Sequence, residues 1–167
     1  MSQPTPERLS AWRGFLEAHA RVTDVLEAEL QAERGLPLAW YDVLVQLSES
    51  ADGALRMQEL ARRVLLSKSG LTRLVDRMEQ AGLVRRGQVE SDRRGALAVL
   101  TPAGRDRLRD AAPVHLRGVE GSFTGLLTDD ETAAMRSAFA KICAGLPARD
   151  RPTRRDGDHD GDGGCGP

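Results

Sequence analysis

Aromatic residues make up only 4% of this 167-residue chain, and Leu, Val and Ala supply most of its apolar content. A core poor in rings suits packed helices. The two cysteines, Cys143 and Cys165, are too few for a disulfide framework. No stretch approaches the roughly 18 consecutive apolar residues that a membrane span needs. The opening MSQPTPERLS is polar and lacks the apolar core of a secretory signal. These absences predict a cytoplasmic protein without membrane association. Parts for catalysis are missing too. The three histidines (His19, His115, His159) are scattered, and no nucleophile has an evident base beside it. The part expected to fold carries neither a phosphate-cradling Gly loop nor a metal-spaced ligand set, so neither an enzyme nor a cofactor is expected.

What the chain does have is uneven charge. Its net charge is −1, yet residues 56–95 hold ten Lys/Arg against five Asp/Glu, a local +5 that leaves −6 for the remainder. A merely solvated charged surface gives no reason for cations to gather in one stretch. A localised basic patch on a near-neutral chain is the electrostatic footprint of a nucleic-acid module.

Periodicity places the elements. Residues 1–6 read as a disordered lead. Glu7 to Glu33 is one long amphipathic helix, with Leu9, Trp12, Phe15, Leu16, His19, Val22, Val25, Leu26 and Leu30 stepping by three or four. That is more apolar surface than one small domain needs, so part of it is read as a subunit interface. Gly35 to Pro37 breaks it. A helix from Pro37 to Glu49 follows, with Trp40, Val43, Leu44 and Leu47 as its buried face, then a polar loop from Ser48 to Ala54. Met57 to Val64 is a two-turn helix without a good cap at Arg56. Ser67 is a suitable cap for a helix from Lys68 to Ala81, closed by Gly82. Leu71, Leu74, Val75 and Met78 mark the buried stripe of that helix, and Ser69, Thr72, Arg73 and Asp76 its opposite face. Leu83–Val89 and Ala96–Thr101 then form a hairpin whose turn is Glu90 to Gly95. A helix capped by Thr101 runs to about Phe123. Thr128, three residues ahead of Glu131, starts a last helix that Pro147 ends. Residues 148–167 are nearly devoid of apolar side chains and are expected to be disordered.

Two short helices joined by a three-residue turn and followed by a hairpin predict a winged helix-turn-helix. The expected fold is mainly α with a small β-hairpin wing: a DNA-reading lobe at about 55–101 joined to a helical dimerisation base at 7–33 and 102–146. The residues that carry this reading are similar to a known family. Asp92-Arg93-Arg94 followed by Leu100-Thr101-Pro102-Ala103-Gly104 resembles the wing and L-T-x-x-G pattern of MarR-family winged-helix repressors. Glu59-Leu60-Ala61 and the helix Ser67–Glu79 also match that family. The resemblance covers roughly residues 8–146. It implies a homodimer on a near-palindromic site in double-stranded DNA, released by a small aromatic or phenolic effector bound between base and reading lobes.

Arginine reads guanine through two parallel hydrogen bonds and hydroxyls adapt to several bases, so Ser69, Thr72 and Arg73 are candidates for base edges. Ser67, Lys68 and Arg77 are candidate phosphate clamps. Arg94, with Arg93 beside it, is expected to enter the minor groove from the wing tip. Asp92 cannot favour DNA directly and is expected to pin an arginine or the wing turn. For the effector, Trp12, Arg13 and His19 on the first helix and Trp40, Tyr41 and Asp42 on the second combine apolar walls with polar anchors; the competing reading is that the tryptophans are core and the charges solvated.

Two further features have bland readings. Cys143 offers a redox-responsive alternative, but relatives that use cysteine oxidation carry the cysteine on the first helix, and this chain has none there. Asp156, Asp158, Asp160 and Gly161 imitate the start of a calcium loop. Pro167 stands where the loop needs a bidentate Glu, so no metal site is expected. A winged helix that binds protein rather than DNA is the other alternative. It has no use for the cations at Lys68, Arg73, Arg77 and Arg94.

Overall fold

The computed structural model describes residues 3–64, 68–89 and 92–146, without the side chains of residues 68, 89 and 92–95. It begins with α1 (Pro6–Arg34), a 29-residue helix entered through Thr5, whose hydroxyl accepts from the Arg8 N–H. Gly35 ends α1 at φ +58°, the left-handed conformation that lets its N–H return to the Gln31 carbonyl. The second helix, α2 (Leu38–Ser48), has Pro37 at its cap position and no side-chain cap of its own. Glu27 of α1 supplies what is missing, its carboxylate accepting from the Leu38 N–H at 2.7 Å. An acid at the positive end of a helix is favourable, and here it also ties α2 to α1.

A short strand, β1 (Ala54–Arg56), leads into α3 (Met57–Arg63). The loop read from the sequence thus ends in a strand that was not expected. Three residues are too short to show an alternating pattern, and Gly53 (φ +64°) beside Ser50 and Asp52 reads as turn. Arg56 caps α3 without a side-chain bond, as expected. Helix α4 (Lys68–Gln80) buries Leu71, Leu74, Val75 and Met78, the stripe its spacing requires. Gly82 (φ +73°) then turns the chain into β2 (Val84–Val89), which pairs with β3 (Asp92–Leu100). The sheet is antiparallel in the order β1-β3-β2. Leu55, Val84, Ala98 and Leu100 are its buried members, and they join the core built by α2, α3 and α4.

The wing corrects one expectation. Asp92 to Gly95 belong to β3 and not to the turn. The ladder passes from Gln88↔Ala96 to Val89↔Asp92, so one step along β2 answers four along β3. Arg93, Arg94 and Gly95 are the surplus residues of a bulge. Their charge and glycine give a turn-like composition, and composition cannot distinguish a turn from a bulged strand.

Only Thr101 stands between the end of β3 and helix α5 (Pro102–Ser122), and its Oγ1 accepts from the Gly104 N–H at 3.0 Å. It runs along α1, where Arg117 meets Glu33 and Arg34 meets Asp110. A single 3-10 turn (Thr124–Leu126) precedes α6 (Asp129–Gly145), which opens with the reciprocal capping pair of Thr128 and Glu131. Trp40, read from the sequence as buried, is only half-buried; Tyr41 takes the interior place.

Candidate nucleic-acid interface

Burial of the apolar stripe of α4 sends the opposite stripe outward. Ser69, Arg73 and Arg77 are exposed, and Thr72 and Asp76 are half-buried between them. Ser67 and the side chains of Lys68, Asp92, Arg93 and Arg94 lie outside the described residues; the backbone of the last three runs on β3, beside β2. The described sequence-selected residues therefore share one helix surface next to a wing. That surface holds charge-bearing and hydroxyl groups at helical spacing, as needed to follow a groove.

Sequence reasoning missed what Asp76 does. Its carboxylate pairs with the Arg86 guanidinium from β2. Glu79, one turn further along α4, lies 3.6 Å from Arg86 Nε through Oε2 and accepts the Arg86 backbone N–H at 2.7 Å through Oε1. These partners are separated by a tight turn, so helical spacing gave no sign of them.

The six residues selected for an effector fall in two places. Trp12, Arg13 and His19 are exposed on the first half of α1, and His19 borders an open apolar groove of about 520 Å³ with Phe15, Val22, Phe123, Met135 and Phe139. Trp40, Tyr41 and Asp42 sit on α2, which meets α1 near Glu27. Eight residues of helix, about 12 Å, separate His19 from that junction. Tyr41 stacks on His115 of α5 with ring centroids 4.3 Å apart. Burial lowers the His115 pKa below its ordinary value, and burial, with the Asp42 charge adding to it, raises that of Tyr41. Nearby, α1 and α5 approach closely at Gly118, where a Cβ would collide with the Glu29 carboxylate. Glu29 Oε2 and His115 Nδ1 are both buried and have no hydrogen-bond partner among the described residues. Neither was selected from the sequence, because a lone acid and a lone histidine in amphipathic helices carry no local signal. Asp42 instead borders a shallow depression of about 250 Å³ with Gln46 and Arg63.

Cys143 is exposed on α6. Cys165 and the aspartate-rich run fall outside the described residues. Among the described residues no group of three or more His, Cys, Asp or Glu could hold a metal ion, and no helix is long and apolar enough to cross a membrane.

A helix-turn-helix whose second helix turns a polar face outward beside a three-stranded sheet defines a winged helix-turn-helix protein. A sequence model of the MarR family matches residues 34–95. The structure is similar to AbsC, a MarR family transcriptional regulator from Streptomyces coelicolor (40% identity, 86% of this chain and 97% of that one, TM-score 0.79). It is also similar to Sco3205, a MarR family transcriptional regulator from the same organism solved in complex with DNA (34% identity, 93% and 95%, TM-score 0.81). Among curated proteins, YkoM, an HTH-type transcriptional regulator of Bacillus subtilis, is 30% identical over 79 residues. The match spans 47% of this chain and 51% of YkoM, so the chain matches about half the length of that relative. The chain belongs to the MarR family. Its relatives are transcriptional regulators, not enzymes.

Proposed function

We propose that this protein is a sequence-specific repressor that binds a near-palindromic operator in double-stranded DNA as a homodimer and is released by a small aromatic or phenolic ligand. The observation that carries the reading is the outward face of α4, with Ser69, Thr72, Arg73 and Arg77 on one surface beside the wing. In it, Ser69, Thr72 and Arg73 meet base edges while Ser67, Lys68 and Arg77 hold phosphates. Arg94 enters the minor groove, Arg93 supports it, and Asp92 orders the wing. Arg94→Ala is expected to weaken operator binding by more than about tenfold, the scale of one good base or groove contact, and to leave the melting temperature unchanged. An unaltered gel shift would remove the wing from the interface. Affinity is also expected to fall steeply between low and moderate salt, as counterion release requires; a flat salt response favours a protein-binding winged helix instead.

The effector is best sought beside the Tyr41–His115 ring pair, because the buried His115 Nδ1 there has no hydrogen-bond partner among the described residues. Such an atom is costly to bury alone, and a ligand carrying an aromatic ring and a hydroxyl can stack on the pair and supply its partner. In a melting screen of phenolic acids, a selective ligand at about 100 times its Kd is expected to add roughly 2.7 kcal/mol. His115→Ala is expected to erase that shift. A shift that survives in His115→Ala and disappears in His19→Ala moves the site to the α1 groove.

A further inference from the structure

We propose that Arg86 is a positioning residue: it locks the wing to the recognition helix and withdraws Asp76 from the DNA-facing surface, without itself gripping DNA. The proposal rests on the DNA-binding reading above. Strand alternation sets it up. Val84 is buried, so Arg86, two residues on, shares the face of β2 turned toward α4, whereas Arg85 on the other face is exposed. Asp76 and Glu79 stand three residues apart on α4 and therefore converge on one neighbour. That neighbour is a single residue held at two points: its guanidinium by Asp76, with Glu79 Oε2 3.6 Å from Nε, and its backbone N–H by Glu79 Oε1 at 2.7 Å. A side chain and its own main chain fixed together leave the strand little freedom to rotate against the helix.

Electrostatics gives the clamp a second consequence. Asp76 lies on the same stripe as Thr72 and Arg73, where an unneutralised carboxylate would repel phosphates. Paired with Arg86, it presents a neutral couple. The three side chains remain 33–47% exposed, so the pairs are screened and add little to fold stability. Their effect is preorganisation: helix and wing reach DNA already at a fixed mutual angle, and the ordering cost at binding falls.

The two roles open to Arg86 predict opposite signs. If Arg86 clamped nothing and met a phosphate, removing the negative charge of Asp76 would free it and tighten binding. As a clamp, losing Asp76 loosens binding. The probe is a duplex enriched from a random-sequence pool by the wild-type protein, with binding measured over a range of salt. Asp76→Asn is expected to weaken binding about fivefold and Arg86→Gln about tenfold. The double variant should be no worse than Arg86→Gln, because the two residues act as one unit. Arg86→Lys is expected to recover part of the loss, since it keeps the charge and the backbone bond to Glu79. Melting temperatures should stay at the wild-type value, and the salt slope of the double variant, which removes both charges of the neutral couple, should not change. Tighter binding by Asp76→Asn, wild-type binding by Arg86→Gln, or a salt slope for the double variant reduced by about 0.9 each overturns the clamp alone. A wild type that enriches no duplex overturns the DNA-binding reading, and this proposal with it.

Discussion

Alanine at position 104 is expected to destabilise the protein by about 3 kcal/mol, the upper end of ordinary overpacking costs. For a chain of this length that lowers the melting temperature by roughly 6–12 °C. Gly104 lies in the first turn of α5, and a Cβ there would press into the Leu83 carbonyl oxygen and stand 2.8 Å from Leu100 Cδ1. The obstacle is backbone, which cannot change rotamer. Leu83 O is also committed, accepting from the Thr101 N–H at 3.2 Å, and the Thr101 hydroxyl lies 2.9 Å from it. Moving that carbonyl would loosen the joint between helix, strand and turn together. Gly121→Ala is the control, because a Cβ there meets nothing within 4 Å; helix propensity favours alanine at such a site. Equal melting temperatures for Gly104→Ala and wild type would show that the joint yields, against the packing described.

The second large effect concerns assembly. Leu16→Glu combined with Ile142→Glu is expected to convert the proposed dimer into a monomer, read by sedimentation or light scattering, and to reduce affinity for the proposed operator by more than about a hundredfold. Alone, the chain leaves Trp12 55%, Leu16 46%, Ile142 56% and Leu146 62% exposed, and no residue of α6 is buried. A 17-residue helix without a buried face has little tertiary support, and helices depend on such support more than on propensity. Each large side chain covered by a second copy gains roughly 1.5–3 kcal/mol. Phe15 and Phe139 already meet at a centroid distance of 5.8 Å, bringing α1 and α6 together as one surface. Separated copies would each hold one recognition helix and lose the second half-site. An unchanged molar mass for the double variant would refute this interface.

Much of this architecture was legible in the residues. The stripe of Leu71, Leu74, Val75 and Met78 fixed both the existence of α4 and the face it shows to solvent. Thr101 and Thr128 announced the starts of α5 and α6 because capping is a local interaction, visible within four residues. What was hidden depends on contacts between distant parts of the chain. Strand β1 exists because β3 offers it an edge, and nothing in Ala54–Arg56 alone says so. The bulge at Arg93–Gly95 has the composition of a turn. The Asp76–Arg86 pair and the juxtaposition of Tyr41 with His115 arise from chain reversals that no periodicity records. The proposed reading surface was therefore easier to find than the groups that orient it.

Only Thr101 separates the end of β3 at Leu100 from the start of α5 at Pro102. With the Thr101 N–H bonded to Leu83 and the Thr101 hydroxyl accepting from Gly104, the junction has no slack. Mechanically, β3 is a rigid lever hinged on the base. Because Arg93 to Gly95 are taken up in the bulge, its far end at Asp92 lies five ladder steps, about 17 Å, from that fulcrum. A tilt of α5 by ~10° carried through the joint sweeps the far end through roughly 3 Å, close to the ~3.4 Å spacing of successive phosphates along the helix axis. Under the proposed DNA-binding role, a rotation of that size moves the wing end of β3 by about the spacing of one base pair.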